Sequence, residues 1–134
     1  GLFSKEEYSN RIEISLGRMN RRGSEGQRLV HRAMAYIHEH YAENITRGAI
    51  SSHLNINEQY LSRCFKNEIG IGPMVYLSRY RIQQARRLLE SSDASITQVA
   101  LAVGLSTQSY FSRIFQQLTG MTPSAYRRGE RDKT

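Results

Sequence analysis

Side chains that can read DNA bases occur in two clusters along the chain. Arg and Lys donate to O6 and N7 of guanine, Gln pairs with N6 and N7 of adenine, and Ser can bond either a base or a phosphate. Neither cluster contains an acidic residue. The acidic residues beside the first cluster, Glu58 and Glu68, lie at its two ends. The clusters therefore favour contact with double-stranded DNA, and they consist of Gln59, Ser62, Arg63 and Lys66, followed by Gln108, Ser109, Ser112, Arg113 and Gln116.

Each cluster lies on the polar side of a predicted amphipathic helix. The apolar residues between the polar ones recur at the spacing that buries one helical stripe. We therefore expect the polar residues to project outwards from both helices. The apolar positions are Leu61, Cys64, Phe65 and Ile69 in the first helix and Phe111, Ile114, Phe115 and Leu118 in the second.

An internal repeat surrounds both helices. The opening part of the repeat aligns at an offset of 51, and the offset then falls to 50. This alignment predicts one supersecondary unit present twice. The identical pairs are Ile45/Ile96, Thr46/Thr97, Ala49/Ala100, Leu54/Leu105, Tyr60/Tyr110, Ser62/Ser112, Arg63/Arg113, Phe65/Phe115, Gly70/Gly120, Pro73/Pro123 and Tyr76/Tyr126.

The repeated unit has the layout of a helix-turn-helix, whose second helix enters the major groove. Thr46 and Thr97 are suited to cap its opening helix, and Ala49 and Ala100 are small enough for a close helix crossing. Asn55 and Ile56 mark the turn in the first copy, and Gly104 and Ser106 mark it in the second. The alignment places His53 opposite Gly104 and predicts a longer turn, Asn55-Ile56-Asn57, in the first copy.

A third helix is predicted over residues 74–91, between the two copies. Arg81 falls inside its apolar stripe, so we expect this guanidinium to pair with a carboxylate or a backbone carbonyl rather than with a phosphate. The polar side carries Arg79, Arg86 and Arg87, which could meet phosphates or remain solvated. The stripe itself consists of Met74, Val75, Leu77, Ile82, Ala85, Leu88 and Leu89.

Helix-period patterns fill most of the chain and no stretch alternates as a strand would, so we expect an all-α protein. The composition indicates that it is folded and basic. Of 134 residues, 39% are hydrophobic and 23% are charged, and the net charge of +7 with a pI near 9.9 favours a polyanionic partner. Cys64 is the single cysteine, and we interpret it as a small buried hydrophobe. No apolar run is long enough for a membrane span and no signal peptide is visible, so we expect a cytoplasmic protein. Gly1 stands where Met would begin a chain, which suggests a longer natural protein.

We expect four segments. Residues 1–26 form a helix and a linker, with Arg22 to Gly26 as the linker. Residues 27–78 form the first helix-turn-helix subdomain, 79–91 the rest of the connecting helix, and 92–134 the second subdomain with a basic tail. The first helix would bury Tyr8, Ile12, Leu16 and Met19, by packing on the body, by dimerising, or as the end of an upstream domain. The helix after the linker would bury Val30, Ala33, Met34, Ile37 and Tyr41.

Residues 27–128 resemble the paired helix-turn-helix domain of AraC/XylS-type bacterial transcription regulators. The most specific segments are Ile96-Thr97-Gln98-Val99-Ala100, Tyr110-Phe111-Ser112-Arg113-Ile114-Phe115 and Gly120-Met121-Thr122-Pro123. The resemblance implies two helix-turn-helix subdomains joined by a long linker helix, with both recognition helices in successive major grooves of promoter DNA. It implies base contacts from Gln59, Ser62, Arg63, Gln108, Ser109, Ser112 and Arg113.

The same hypothesis includes contacts with the DNA backbone and a set of partners. Besides promoter DNA, we expect RNA polymerase as a partner, no membrane and no cofactor. This chain would bind as a monomer, and a full-length protein could dimerise. The expected backbone contacts are Thr46, Asn57, Lys66, Arg86, Thr107, Gln116 and Arg127.

Two other classes of protein were weighed against this hypothesis. A module of helical repeats that binds proteins would show no salt-dependent DNA binding. A small helical enzyme would use the four histidines His31, His38, His40 and His53. His38 and His40 are two residues apart, which points them to different sides of a helix and disfavours a shared metal ion. We therefore expect no metal site and no catalysis.

Overall fold

The computed structural model describes residues 24–132, which fold into helices without a strand. This part of the chain confirms the predicted all-α class. The predicted first helix, with its stripe from Tyr8 to Met19, lies outside the described residues. The seven helices are α1 Glu25–His40, α2 Arg47–Leu54, α3 Glu58–Ile69, α4 Pro73–Ser91, α5 Ile96–Ala102, α6 Gln108–Thr119 and α7 Pro123–Asp132.

Helix α1 begins two residues earlier than the expected linker allows. The Ser24 hydroxyl accepts from the Gln27 amide at 3.1 Å, and the Gln27 side chain accepts from the Ser24 amide at 3.1 Å. This reciprocal capping box satisfies two backbone donors that would otherwise lack partners. Assignment of Glu25 and Gly26 to a linker was therefore wrong, because both belong to the first turn of α1.

The described residues divide into two compact units. The first unit contains residues 24–40 and Ile45–Leu77, and the second contains Tyr41–Asn44 and residues 78–132. Helix α4 begins in the first unit, at Pro73, and ends in the second, at Ser91. Proline is favoured at the first helical position, where its missing N–H costs nothing, and Pro123 opens α7 in the same way.

The core of the first unit is formed by α1, α2, α3 and the start of α4. The predicted stripe of α1 is buried at Val30, Ala33, Met34 and Ile37. Cys64 is 6% exposed, which confirms its role as a buried apolar side chain. The largest buried members of this core are Phe65, Tyr76, Ile37, Ile50, Leu61 and Leu77.

The core of the second unit is formed by α4, α5 and α6 around Phe111 and Phe115, whose ring centroids are 5.7 Å apart. The predicted stripe of α4 is buried at Leu77, Ile82, Ala85 and Leu89. Val75 was wrongly included in that stripe, since it is 46% exposed. Val75 is only two residues from both Pro73 and Leu77, which places it on a different side of the helix.

The Tyr41–Asn44 segment belongs to the second unit, although it directly follows α1. Tyr41 was predicted to extend the stripe of α1, but the helix ends at His40 and the Tyr41 ring instead packs edge-on against Tyr80, with centroids 5.1 Å apart. Arg81 donates to the carbonyl oxygens of Tyr41 and Glu43, both at 2.8 Å. The predicted pairing of Arg81 with a backbone carbonyl is confirmed.

Gly104 packs against the same segment. Its φ is +89°, and a Cβ at this position would lie 2.6 Å from the Tyr41 carbonyl oxygen and 3.1 Å from that of Ala42. Both the backbone angle and the space therefore require glycine.

Among the described helices, none is long and apolar enough to cross a membrane.

Candidate nucleic-acid interface

The structure pairs the residues of the two helix-turn-helix copies in a different register from the one predicted by sequence identities. Thr46 caps α2 and Ser95 caps α5, each accepting from the amide three residues later. Nine residues after each cap comes the single left-handed residue of the turn, Asn55 with φ +60° and Gly104 with φ +89°. The opening helices therefore correspond at an offset of 49, and the predicted offset of 51 was wrong.

Three predictions made from the sequence alignment change with this register. Thr97 does not cap α5, because Ser95 does so in a capping box with Gln98. His53 does not stand in the place of Gly104, which Asn55 occupies. Asparagine tolerates the left-handed conformation better than most residues, so the turn forms without glycine. The longer turn is in the second copy, where two residues separate Gly104 from the next cap, Thr107.

The close crossing of the two helices also involves a different pair. Ser51 and Ala100 are the equivalent buried positions, and the amides of Ile56 and Leu105 donate to their carbonyl oxygens at 3.0 and 2.9 Å. The Ser51 hydroxyl donates to the Gly48 carbonyl at 3.0 Å, which satisfies a buried polar group within its own helix. Ala49, predicted at the crossing, is only half-buried.

Helices α3 and α6 present the predicted base-reading residues on their outer faces. In α3, Gln59, Arg63 and Lys66 are exposed and Ser62 is half-buried. The same residues line one open depression together with Arg47 and Asn67. In α6, the exposed residues are Gln108, Ser109, Arg113 and Gln116, and Ser112 is half-buried.

An arginine stacks on a tyrosine in the same way on both helices. The Arg63 guanidinium carbon lies 5.4 Å from the centroid of the Tyr60 ring, and that of Arg113 lies 5.3 Å from the centroid of Tyr110. Tyr110 is 42% exposed. An aromatic face attracts a guanidinium and limits its rotamers while its N–H groups point outwards. Both guanidinium groups are thus held against a tyrosine ring of their own helix.

An ion pair that the sequence did not predict joins α2 to the start of α3. Arg47 Nη2 lies 3.1 Å from Glu58 Oε2, and Arg47 Nη1 donates to the Ser62 hydroxyl at 3.4 Å. Both charged side chains are about two-fifths exposed, at 45% and 40%. Glu58, predicted to flank the polar face, therefore lies next to one of its members.

The second unit has a neutral contact in the equivalent place. The Thr97 hydroxyl donates to Gln108 Oε1 at 2.7 Å, so α5 orients the first residue of α6. Gln108 corresponds to Glu58, because each is the first residue of its helix, whereas Thr97 corresponds to Gly48 rather than to Arg47 in the observed register.

Several expected backbone contacts are helix caps. Thr46, Asn57 and Thr107 each accept, through a side-chain oxygen, from an amide in the first turn of α2, α3 and α6. Their donors, two hydroxyls and one amide NH₂, are not used by these bonds. The positive ends of the helix dipoles lie at the same positions, where phosphates bind favourably.

Arg86 and Arg127 lie beside the end of α4 in the second unit. Arg127 donates to the carbonyl oxygens of Leu89 and Ser92, both at 3.2 Å. The Arg86 guanidinium lies 5.7 Å from the centroid of the Tyr126 ring, and the Tyr126 hydroxyl bonds the Glu90 carboxylate. Burial, followed by that bond to Glu90, raises the pKa of Tyr126. Both arginines therefore have contacts that stabilise the end of α4.

The histidines do not gather into a metal site. Within residues 24–132, no three His, Cys, Asp or Glu side chains lie close enough together to hold an ion. His38 Nε2 lies 2.5 Å from the buried Tyr76 hydroxyl. Tyr36 stacks between His40 and His53, with ring centroids 4.5 Å from each.

Comparison with known proteins identifies the family. A family model described as a helix-turn-helix domain matches residues 50–129, which include both turns and both exposed helices. The chain belongs to this AraC-type helix-turn-helix family. The resemblance stated from the sequence is therefore confirmed, together with the all-helical paired fold.

Similar proteins and solved structures agree with this assignment. The HTH-type transcriptional regulator YisR of Bacillus subtilis is 35% identical over 102 residues, which cover 76% of this chain and 36% of YisR. The C-terminal domain of AraT, a response regulator from Geobacillus stearothermophilus, matches with TM-score 0.75 and 36% identity, covering 79% of this chain and 88% of that one. The DNA-binding domain of AdpA, solved in complex with a target DNA, matches with TM-score 0.74 and 28% identity, covering 78% and 94%.

Proposed function

We propose that this AraC-type domain binds double-stranded promoter DNA by placing α3 and α6 in successive major grooves. The observation that carries the proposal is the arginine stacked on a tyrosine at the same position of both exposed helices. A guanidinium already held against a ring loses less side-chain entropy when it donates two bonds to guanine. The similar AdpA domain was solved in complex with a target DNA, which supports DNA binding by a domain of this fold.

The residues in contact with DNA fall into two groups. Base edges are read by Gln59, Ser62, Arg63, Gln108, Ser109, Ser112 and Arg113. Phosphates are bound by Thr46, Asn57 and Thr107 at the three helix starts, where a side-chain donor and the helix dipole act together. The remaining phosphate contacts come from Lys66, Gln116, Arg86 and Arg127.

The domain binds as a monomer to two half-sites in the same orientation, about one helical turn apart. This proposal follows from the internal repeat, which gives a single chain two exposed helices with equivalent polar residues. Sedimentation of the complex should give one chain per DNA site. An obligatory dimer on a palindrome would contradict it.

Arginine variants separate base readers from phosphate contacts. We expect Arg113→Ala and Arg63→Ala each to weaken the free energy of binding to the preferred site by about 1–3 kcal/mol. Each variant should lose the preference at one base pair, and the two base pairs should lie roughly one helical turn apart. Arg128→Ala, on the exposed surface of α7, serves as the matched loss of one positive charge. Each lost phosphate contact should reduce the slope of log K against log salt by about 0.9 and weaken all sequences alike.

The test is a competition assay over a randomised site library at two salt concentrations. A uniform loss of affinity for Arg113→Ala, with an unchanged sequence profile, would show that Arg113 positions the domain and reads no base. The same assay on the parent tests the proposed function itself, since absence of any sequence preference would exclude it.

The chain spans 36% of the length of YisR, so the activity of the whole protein is a separate proposal. We propose that the domain belongs to a bacterial transcription regulator that works in the cytoplasm, contacts RNA polymerase and catalyses no reaction. Transcription in vitro from a promoter carrying the selected site tests this, with and without the protein. Unchanged transcript levels with the site fully occupied would count against a contact with polymerase.

A further inference from the structure

Glu58 brings a negative charge to the surface proposed to bind DNA. It is the first residue of α3, its side chain is 40% exposed, and Arg47 holds it beside Ser62. A carboxylate near DNA phosphates is repelled, so it lowers affinity unless a favourable bond to the DNA compensates. The ion pair with Arg47 reduces this repulsion and fixes the carboxylate at the edge of the base-reading face.

Arg47 bonds only one of the two carboxylate oxygens of Glu58. Arg47 pairs with Oε2, whereas Oε1 points towards Gly48, where a Cβ would lie only 2.9 Å away. The absence of a side chain at Gly48 therefore leaves room for Oε1. In the second unit the equivalent surface holds the neutral pair Thr97 and Gln108, so the two units differ in charge at this point.

We propose that Glu58 reads a cytosine in the half-site of the first unit, with Arg47 as its positioning residue. This inference rests on the proposed function. A carboxylate can only accept, and the amino groups it could accept from in the major groove are N4 of cytosine and N6 of adenine. In adenine the acceptor N7 lies beside N6 and repels a carboxylate, whereas cytosine presents a C–H beside N4. Cytosine is therefore the base that Glu58 favours.

Selection from a randomised half-site tests the assignment. The parent should enrich cytosine at one position, and Glu58→Ala should reduce that enrichment by about fivefold or more while the other positions stay unchanged. Glu39→Ala is the matched control, because Glu39 is an exposed acid of α1 in the same unit and its loss changes the net charge equally. A cytosine enrichment kept by Glu58→Ala would overturn the proposal.

A modified base tests the same bond without altering the protein. The selected cytosine is replaced by 2-pyrimidinone, which lacks the amino group. The resulting loss of affinity should be about fivefold larger for the parent than for Glu58→Ala. Arg47→Gln should reduce the same preference without shifting it to another base pair. Equal losses for parent and Glu58→Ala would refute a bond to N4. A parent that selects no sequence would refute the proposed function, and this inference with it.

Discussion

Arg81 donates from Nε to the carbonyl oxygen of Tyr41 at 2.8 Å, across forty residues of chain. Its Nη2 bonds the carbonyl oxygen of Glu43 at the same distance. Backbone that leaves a helix has carbonyls without helical partners, and a planar guanidinium can satisfy two of them at once. The pair thereby attaches the Tyr41–Asn44 segment to the second unit, to which it belongs.

Arg81→Ala should destabilise the fold more than it weakens DNA binding. We expect a loss of about 1–3 kcal/mol in the free energy of unfolding, because two carbonyls lose donors in a half-buried place. Affinity per folded molecule should stay within about twofold, well under the 1.4 kcal/mol of a tenfold change. Urea melts and DNA titrations measure both quantities, and Arg87→Ala, exposed on the same helix, is the control. An unchanged melt with lost binding would instead indicate a phosphate contact.

Three glycine variants separate backbone strain from lack of space. Gly104→Ala combines a positive φ with a Cβ 2.6 Å from a carbonyl oxygen, so we expect it to cost more than about 1–3 kcal/mol. Gly120→Ala has a φ of +80° but nothing within 4 Å, and should cost only the strain. Gly129→Ala, within α7 and also without a neighbour, should stabilise by up to about 1 kcal/mol. Equal losses of stability for Gly104→Ala and Gly120→Ala would show that the Tyr41–Asn44 segment moves to make room for the added Cβ.

The fold could be predicted because its determinants are local. Apolar spacing identified the buried stripes of α1 and α3, and local residues also limit these helices, since Gly70 caps α3 and Pro73 opens α4. The repeat register could not be predicted from identities. Thr46 and Thr97 are identical, yet only Thr46 is a cap, because Ser95 has the same capping chemistry and lies where the second copy needs it.

The exposed faces of α3 and α6 were also predictable, since helical spacing decides which side chains point outwards. The pairs between helices were not, because they depend on how closely α2 and α5 cross their partners. Arg47 and Glu58 lie on different helices, α2 and α3, and no periodicity within one helix contains the distance between them. For this reason the sequence predicted only that Glu58 flanks the polar face of α3, and not that it contacts a neighbour of that face.

His38 predicts a pH dependence of stability. Burial, and then the charge of His31, lowers the pKa of His38 below its ordinary value of 6.5. The unfolded chain therefore takes up a proton first as the pH falls, so this contribution is complete above about pH 6.5 and is lost below it. We expect the melting temperature to fall between pH 7.5 and pH 5, and His38→Gln to flatten this fall.

His53→Gln is the control for that experiment, because it removes an exposed histidine of α2 in the same unit. Thermal melts at half-unit pH intervals provide the comparison. If His53→Gln and His38→Gln flatten the dependence of melting temperature on pH equally, the effect comes from the sum of surface charges and not from His38.

Thr97 should determine which base Gln108 prefers. The Thr97 hydroxyl occupies Gln108 Oε1 at 2.7 Å, which leaves the NH₂ group to donate outwards. A side chain that only donates favours acceptors such as O6 and N7 of guanine or O4 of thymine, whereas a glutamine with both groups available pairs with adenine. Thr97→Val keeps the shape but removes the donor, so we expect the preference at one base pair to shift towards adenine by about 1 kcal/mol. Thr97→Ser retains the hydroxyl and should keep the parent profile in the same library selection. Identical profiles for the Val and Ser variants would show that this hydroxyl does not orient the amide on DNA.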